Sequence, residues 1–326
     1  MAGRSAPGVM AVPVSGARRV ARRKRQRMSP SARREELMGW LMASPWIIGM
    51  ILWILVPFAW AAYLSFTDYA ILKPPRFVGL DNFQKMLFED KYFWISLRVT
   101  TVYAVVSIPL GMILSLFLAV LLNAKIRGLA WLRTVYYLPA VLSGVAVSFL
   151  WMWVFSKDWG ILNYLLSLVG IPPQSWLMSE KWALPSLILM SLWGVGGGLV
   201  IYLAALQGVP TELYEAAEVD GAGRLRRFWH ITIPMISPVL LFQLVMGIIG
   251  ALQTFTQGYV MTGGGPNNAT LFFLLYLWRN AFDWLKMGYA SALAWAIFTY
   301  ILILTVIVLR TSRSWVFYAG EIKGRL

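Results

Sequence analysis

The sequence predicts an all-α membrane protein with six transmembrane helices. Hydrophobic residues make up 59% of the 326 residues and charged residues only 13%, about half the charged share of a typical soluble protein. A soluble fold of this length could hardly bury so much apolar surface. Apolar runs of about 20 residues are long enough to cross a bilayer as helices. Six such runs occur, at residues 38–66, 99–122, 132–156, 182–208, 236–260 and 289–310.

A basic stretch precedes the first apolar run. Residues 1–36 are rich in Arg, Ser, Gly and Pro, which predicts a disordered tail. Ser29 and Pro30 can cap and begin a short helix near its end. The run that follows is too long for a signal peptide and has no cleavage site after it, so we expect no cleaved signal. The membrane domain is expected at residues 37–318, with a short tail at 319–326.

Proline, tryptophan and glycine distinguish individual spans. The first run contains Pro45 and Pro57, kinks that neighbouring helices can accommodate. Trp151 and Trp153, near the end of the third run, match the aromatic belt at a membrane surface. The fourth run carries a central cluster of glycines, namely Gly194, Gly196, Gly197 and Gly198.

The basic residues predict the orientation of the spans. Ten of the 29 Lys and Arg precede residue 35. With the N-terminus in the cytoplasm, 20 lie in cytoplasmic segments and nine outside, as the positive-inside rule requires. Both termini and the loop between the fourth and fifth spans are therefore expected in the cytoplasm. Because a basic tail beside a span contacts anionic lipids, the net charge of +15 does not predict nucleic-acid binding.

Two outer segments carry local signals. Asp81-Asn-Phe-Gln84 is typical of a capped helix start. That helix could lie along the outer membrane surface or pack on its own spans. Gly263-Gly-Gly-Pro-Asn-Asn268 indicates a tight turn.

The chain lacks the residues that several kinds of catalytic chemistry need. It has no cysteine and one histidine, His230, so disulfides, thiolate nucleophiles and multi-histidine metal sites are not expected. No Walker A loop occurs, nor any protease, hydrolase or kinase signature. The predicted spans contain no Asp or Glu, which disfavours a carrier driven through a buried carboxylate. We therefore expect a protein that is not itself an enzyme.

The loop at about residues 209–234 is predicted to form a helix–turn–helix hairpin. Thr211 can cap its first helix, and Glu215 lies near the helix start, where the dipole favours an acid. Gly221 can supply the positive φ that ends that helix. Residues 224–230 can form a second short helix. From the residues alone, a solvated connector and a protein-docking surface are equally good interpretations.

The spacing of this loop is that of a known family. The stretch from Leu206 to Gly223, followed by Ile231-Thr-Ile-Pro234, resembles the cytoplasmic EAA loop of permease subunits from binding-protein-dependent ABC importers. Ile233 stands where leucine is commoner. Four further stretches resemble the carbohydrate-importer branch, which includes maltose and glycerol-phosphate permeases: Phe77–Phe83, Tyr136–Pro139, Thr262–Asn267 and Gly288–Ala292. The resemblance covers about residues 38–318.

The resemblance implies an ABC type I importer permease fold in the plasma (inner) membrane. It implies passage of a sugar or oligosaccharide from an external solute-binding protein to the cytoplasm. Its implied partners are a second, related permease subunit, usually in a heterodimer, and two ATPase subunits. ATP and Mg²⁺ would bind to the ATPases, with no cofactor in this chain.

Candidate site residues fall in two groups. The resemblance implies that the ATPase is coupled through Glu215, Ala216, Ala217, Asp220, Gly221 and Pro234. Sugars need hydrogen-bonding side chains and aromatic faces. The candidates at membrane depth are Gln253, Thr254 and Gln257 on the fifth span and Ser148 and Trp151 on the third. Each could instead hold helices together.

Two alternatives to carbohydrate import remain open at this point. One is a secondary carrier or channel for small polar solutes, in which the hairpin merely connects helices. The other is ABC import of a glycerol-phosphate-type substrate, because Arg98 or Arg279 could face the outer vestibule.

Overall fold

The protein is represented by a computed structural model that describes residues 30–123 and 128–318. The described residues belong to two compact units, divided in sequence between Phe58 and Ala59. Most of the basic tail, the short tail at 319–326 and the loop residues Lys125 and Arg127 lie outside the described residues.

The described residues are mainly helical. The α-helices are α1 (Pro30–Met50), α2 (Val56–Ser65), α3 (Asp81–Gln84), α4 (Lys91–Leu122), α5 (Leu129–Val141), α6 (Gly144–Val154), α7 (Ile161–Leu168), α8 (Ala183–Ser191), α9 (Gly196–Gln207), α10 (Thr211–Val219), α11 (Arg224–Arg227), α12 (Ile233–Leu252), α13 (Phe273–Trp278) and α14 (Met287–Ser312). Five π-helical segments occupy Ile51–Leu55, Lys85–Glu89, Phe228–Thr232, Gly258–Thr262 and Arg279–Asp283. A two-stranded antiparallel ribbon pairs β1 (Thr67–Asp68) with β2 (Arg76–Phe77).

The first helix starts earlier than the predicted domain boundary. It begins at Pro30, the residue expected to start a helix, so residues 30–36, assigned above to the disordered tail, are helical. The π segment Ile51–Leu55 ends two residues before Pro57. There the Val56 N–H bonds to the Ile51 carbonyl, five residues back. A proline ring clashes with the carbonyl four residues earlier in a regular helix, and the wider π turn gives it room.

Four helices are long and apolar enough to span a membrane: residues 33–65, 91–122, 224–252 and 287–312. The third and fourth predicted spans are each broken into two helices. Residues 131–141 and 144–154 are bent by 100°, and residues 183–194 and 196–207 by 45°. By length and composition, residues 30–123 and 128–318 therefore contain four candidate spans, or up to six if each bent pair counts as one.

The fifth predicted span, 236–260, is wrong at both ends. Its helix ends at Leu252, because Gln253 leaves the helical conformation. At the other end the apolar helix continues back to Arg224 through the π segment Phe228–Thr232. The short helix expected at 224–230 is thus the first part of the fifth span.

Aromatic side chains form much of the main hydrophobic core. Phe272 and Phe273 are fully buried. Phe272 meets Tyr103 edge to face with ring centroids 5.1 Å apart, and Phe273 meets Phe93 at 5.8 Å. Such edge-to-face pairs add to the free energy gained from burial. The segment before α13 is therefore fixed against α4.

The segment around Asp81 packs onto this body. Met86 is buried and Phe83 packs against the main core. The Asn82 amide donates hydrogen bonds of 2.9 Å to the Ser65 and Thr67 carbonyls. Of the two predicted arrangements, the helix therefore takes the one packed on its own spans.

Asp90 joins three helices at the start of α4. One carboxylate oxygen caps α4 by accepting from the Tyr92 and Phe93 N–H groups at 2.9 and 3.2 Å. The other accepts from the Tyr276 hydroxyl at 2.5 Å and from the Tyr289 hydroxyl. Burial, and next the hydrogen bond to Asp90, raise the pKa of Tyr276.

Replacing Asp90 should destabilise the protein more than replacing the nearby carboxylate of Asp81. Asp90→Ala removes a helix cap worth about 1 kcal/mol and leaves two buried hydroxyls without their acceptor, at about 1–3 kcal/mol each. We expect a loss of about 3 kcal/mol or more in unfolding free energy, measured in mixed micelles of sodium dodecyl sulfate. Asp81→Ala, at an exposed carboxylate in α3, should cost less than about 1 kcal/mol. Equal losses for the two variants would contradict this role of Asp90.

Candidate functional site

The hairpin between the fourth and fifth predicted spans begins with α10. Asp220 ends the helix and Gly221 follows with φ of +73°. The Ala222 N–H bonds to the Ala217 carbonyl at 2.8 Å, and the Gly221 N–H bonds to the Glu218 carbonyl at 3.0 Å. This pair of bonds is a Schellman motif, which needs a left-handed residue at the position of Gly221.

Side-chain contacts fix the hairpin to α12. Arg227 donates to Glu218 at 2.8 Å, which joins its two arms. The Tyr214 hydroxyl lies 2.9 Å from that of the buried Thr232. Tyr214 and Ile231 also pack against a second hydrophobic cluster formed by Ala119, Tyr202, Leu203, Leu206, Val209 and Ile236. α10 is therefore held in one position relative to the start of α12.

The coupling candidates divide between the two faces of α10. Glu215 and Ala216 are exposed on its outer face, whereas Ala217 is half-buried on the inner face. Asp220 and Gly221 form the exposed turn. Pro234 is half-buried inside α12, two residues after the π segment, so it shapes the helix rather than contributing to the exposed surface.

Sequence reasoning missed three exposed apolar residues beside this face: Val219, Leu225 and Trp229. Val219 is 89% exposed and Leu225 72%. Val219 and Leu225 could have been found as large apolar residues between charged neighbours. With the exposed acidic residues of α10 and the exposed Arg224 and Arg226, they make the end of the hairpin a mixed charged and apolar surface, which suits a protein partner better than solvent.

A cavity of about 490 Å³ lies between α4, the α8–α9 pair, α12 and the segment after α12. Its polar lining consists of Tyr103, Ser107, Ser115, Ser191, Tyr202, Gln243, Thr254 and Gln257. Five glycines also line it: Gly111, Gly194, Gly198, Gly247 and Gly250. A lining of hydroxyl and amide groups, without a carboxylate or a cation, suits an uncharged polyhydroxylated solute.

Glycines let side chains from neighbouring helices reach the cavity wall. A Cβ on Gly198 would lie 2.8 Å from Gln243 Nε2 and 3.0 Å from Ser115 Oγ. A Cβ on Gly247 would lie 3.1 Å from Ile108 Cγ2. Within the predicted glycine cluster, packing therefore requires glycine at position 198. It does not require glycine at position 197, where a Cβ would have nothing within 4 Å.

The structure brings together two of the five predicted substrate residues. Thr254 and Gln257 line the cavity. Gln253 is exposed at the end of α12 and does not line it. The lining residue Gln243 was missed, although its amide within an apolar run was a usable signal.

The two candidates on the third predicted span also lie elsewhere. Ser148 is fully buried and donates to the Gly144 carbonyl at 2.7 Å, within its own helix. The Trp151 ring packs against Phe155 and Trp193 with centroids 5.1 and 6.1 Å apart. Neither lines the cavity.

The two candidate anion-binding arginines lie outside this cavity. Arg279 donates to the Gly263 carbonyl and holds the glycine-rich turn. Arg98 lines a separate cavity of about 400 Å³ with Glu180, Lys181 and Asn268. Within the described residues no group of three His, Asp or Glu could hold a metal ion.

The helices and the hairpin define an integral membrane protein of the transporter class. The model of the family "Binding-protein-dependent transport system inner membrane component" matches residues 92–317. The chain belongs to that family, so it is a permease component of an ABC importer.

Individual relatives agree with this assignment. The chain is 41% identical over 297 residues to the probable ABC transporter permease protein YesP of Bacillus subtilis, covering 90% of this chain and 96% of that protein. It is 33% identical over 285 residues to the trehalose/maltose permease MalF of Thermococcus litoralis, covering 86% and 95%. The predicted resemblance to carbohydrate-importer permeases is thereby confirmed.

A solved structure has the same fold. It is a bacterial alginate ABC transporter in complex with an alginate pentasaccharide-bound periplasmic protein. The match has a TM-score of 0.75 at 24% identity and covers 86% of this chain and 96% of that one.

Filling the cavity at Gly198 should block transport. Gly198→Val places methyl groups against Gln243 and Ser115, and we expect uptake by the assembled transporter to fall roughly tenfold or more. Gly197→Val makes the same change at the neighbouring residue, where a Cβ would have no atom within 4 Å. It should leave uptake within about twofold of the unmodified transporter. Both rates are normalised to the amount of membrane-inserted protein. Equal uptake by the two variants would contradict a role of this cavity in transport.

Proposed function

We propose that this chain is the transmembrane permease subunit of an ATP-driven ABC importer that passes a sugar or oligosaccharide to the cytoplasm. The observation that carries the proposal is the fixed hairpin, whose outer face presents Glu215 and Ala216. The name of the trehalose/maltose relative and that of the alginate transporter support a carbohydrate. The family match removes most of the support for a secondary carrier or channel.

The proposed topology counts each bent pair as one span. Six spans then place both termini and the hairpin on one side of the membrane. Together with the loop between the second and third spans, those segments carry 20 of the 29 Lys and Arg, which makes that side the cytoplasm by the positive-inside rule.

The proposed assembly contains four kinds of subunit. A second, related permease subunit forms a heterodimer with this chain, and two ATPase subunits bind ATP and Mg²⁺. An external solute-binding protein delivers the sugar. The alginate transporter, which was solved with its periplasmic protein, supports the last of these partners.

Coupling follows from how the hairpin is held. Tyr214, Arg227 and Glu218 bind α10 to the start of α12. Because this connection is fixed by side-chain contacts, a displacement of α10 would be transmitted to the membrane helix. ATP binding would move the hairpin and turn the cavity outward, and hydrolysis would return it. Glu215 would form the ionic contact, and Ala216 would allow close approach of the ATPase.

Reversing the charge at Glu215 should uncouple the transporter. In proteoliposomes containing all subunits, Glu215→Lys should reduce uptake and make ATP hydrolysis independent of loaded binding protein. Loss of a buried interfacial charge pair costs about 2–5 kcal/mol, so co-purification of the ATPase should also weaken at least roughly tenfold. Glu212→Lys, also exposed and one turn earlier, is the matched control. Normal coupled uptake by Glu215→Lys at normal expression would refute the contact.

Two glutamines four residues apart test the cavity as the sugar site. Gln257→Ala removes an amide that can bond a substrate hydroxyl, and losing one hydrogen bond of about 1 kcal/mol should raise the KM for uptake roughly fivefold. Gln253→Ala removes the same group outside the cavity and should leave KM unchanged. The substrate is first chosen by screening the external binding protein against a sugar panel. A larger effect at Gln253 than at Gln257 would place the sugar elsewhere.

A further inference from the structure

The short helix α7 exposes the apolar half of an amphipathic pattern. Ile161, Tyr164, Leu165 and Leu168 follow one another at helical spacing, and all four are exposed, between 45% and 66%. The polar Asn163 on the opposite side is buried. In water a helix is expected to bury its apolar face and expose its polar face, and α7 does the opposite.

Asn163 fixes that orientation. Its amide nitrogen donates to the Lys157 and Gln174 carbonyls at 3.0 and 2.9 Å. Its amide oxygen accepts from the Gln174 N–H and from the Trp176 indole, both at 3.0 Å. Leu162 packs against the main core beside it. Because turning the helix would break these bonds in a buried place, its apolar face must remain outward.

We propose that α7 lies in the interfacial layer of the outer leaflet, with its apolar face among the lipid acyl chains. Six residues, 155–160, separate it from the end of α6, so it cannot lie far from the membrane surface. The face carries no charged side chain, which suits lipid. The proposal rests on the proposed topology, which places this segment outside.

The surroundings of α7 have the composition of a membrane interface. Trp153 and Trp159 are 59% and 82% exposed, as expected for interfacial tryptophans. A groove of about 720 Å³ beside α7 is lined by aromatic and polar side chains, among them Trp153, Tyr164, Lys157, Asp158 and Ser167. At the level of the headgroups, Lys157 can meet a lipid phosphate.

The absence of cysteine from the sequence permits a direct test. Nitroxide labels at Leu165→Cys and Leu168→Cys would be compared with one at Ser167→Cys, on the polar side of the same helix. The labelled chain is assembled with its partner subunits in nanodiscs of phosphatidylethanolamine and phosphatidylglycerol. Collision rates are measured with oxygen, which concentrates in lipid, and with a water-soluble nickel chelate.

The proposal expects an oxygen-to-nickel collision ratio at least several-fold higher at Leu165 and Leu168 than at Ser167. Equal ratios would place the face in water and overturn it. Low collision with both reagents would mean that a protein partner covers the face, and would also overturn it. In intact cells, an impermeant thiol reagent added outside should label Ser167→Cys. Failure of that labelling alone would overturn the topology in the proposed function, whereas the lipid-depth result would still stand.

Discussion

The requirement that every backbone polar group in the membrane find a partner within the protein governs this structure. Irregular backbone at membrane depth is tolerated only where it is buried or lines a cavity. At the break between α8 and α9 the Val195 carbonyl obeys this rule, because it accepts from the Leu199 N–H at 3.1 Å and from Ser115 Oγ at 3.0 Å. The end of α12 at Gln253 also leads directly to the cavity residues Thr254 and Gln257. The breaks thus bring polar groups to the place where a hydrophilic solute would cross.

Two prolines within the apolar helices are accommodated by the same principle. Pro57 and Pro234 each follow a π segment by two residues. In both, the residue before the proline bonds five residues back, Val56 to Ile51 and Ile233 to Phe228. The wider turn keeps the preceding N–H paired while making room for the ring. These helices therefore remain continuous through their prolines, whereas the α8–α9 break comes at a cluster of glycines.

Sequence patterns predicted the parts of the protein that are set by local chemistry. Gly221 was expected to take positive φ because only glycine does so freely, and composition was enough to mark the apolar runs. Composition carries no information about where a helix bends, so the 100° angle between α5 and α6 could not be predicted from it. Helix ends matter more for the site: ending α12 at Leu252 turns Gln253 away from the cavity. Gln243 was overlooked although its amide stands within an apolar run, because the sequence does not show which face of α12 lines the cavity.

One helix connects the two candidate sites. The segment from Arg224 to Leu252 is a single apolar helix of 29 residues, about 43 Å long at 1.5 Å per residue. Its first turns hold the hairpin through Arg227 and Thr232, and its distal half carries Gln243 to the cavity. A rigid element that contacts both sites is a physical means of coupling them. Beyond the π segment Phe228–Thr232, α12 continues as one helix to Leu252. Displacement of α10 would then change the cavity wall at Gln243 without any change inside the cavity itself.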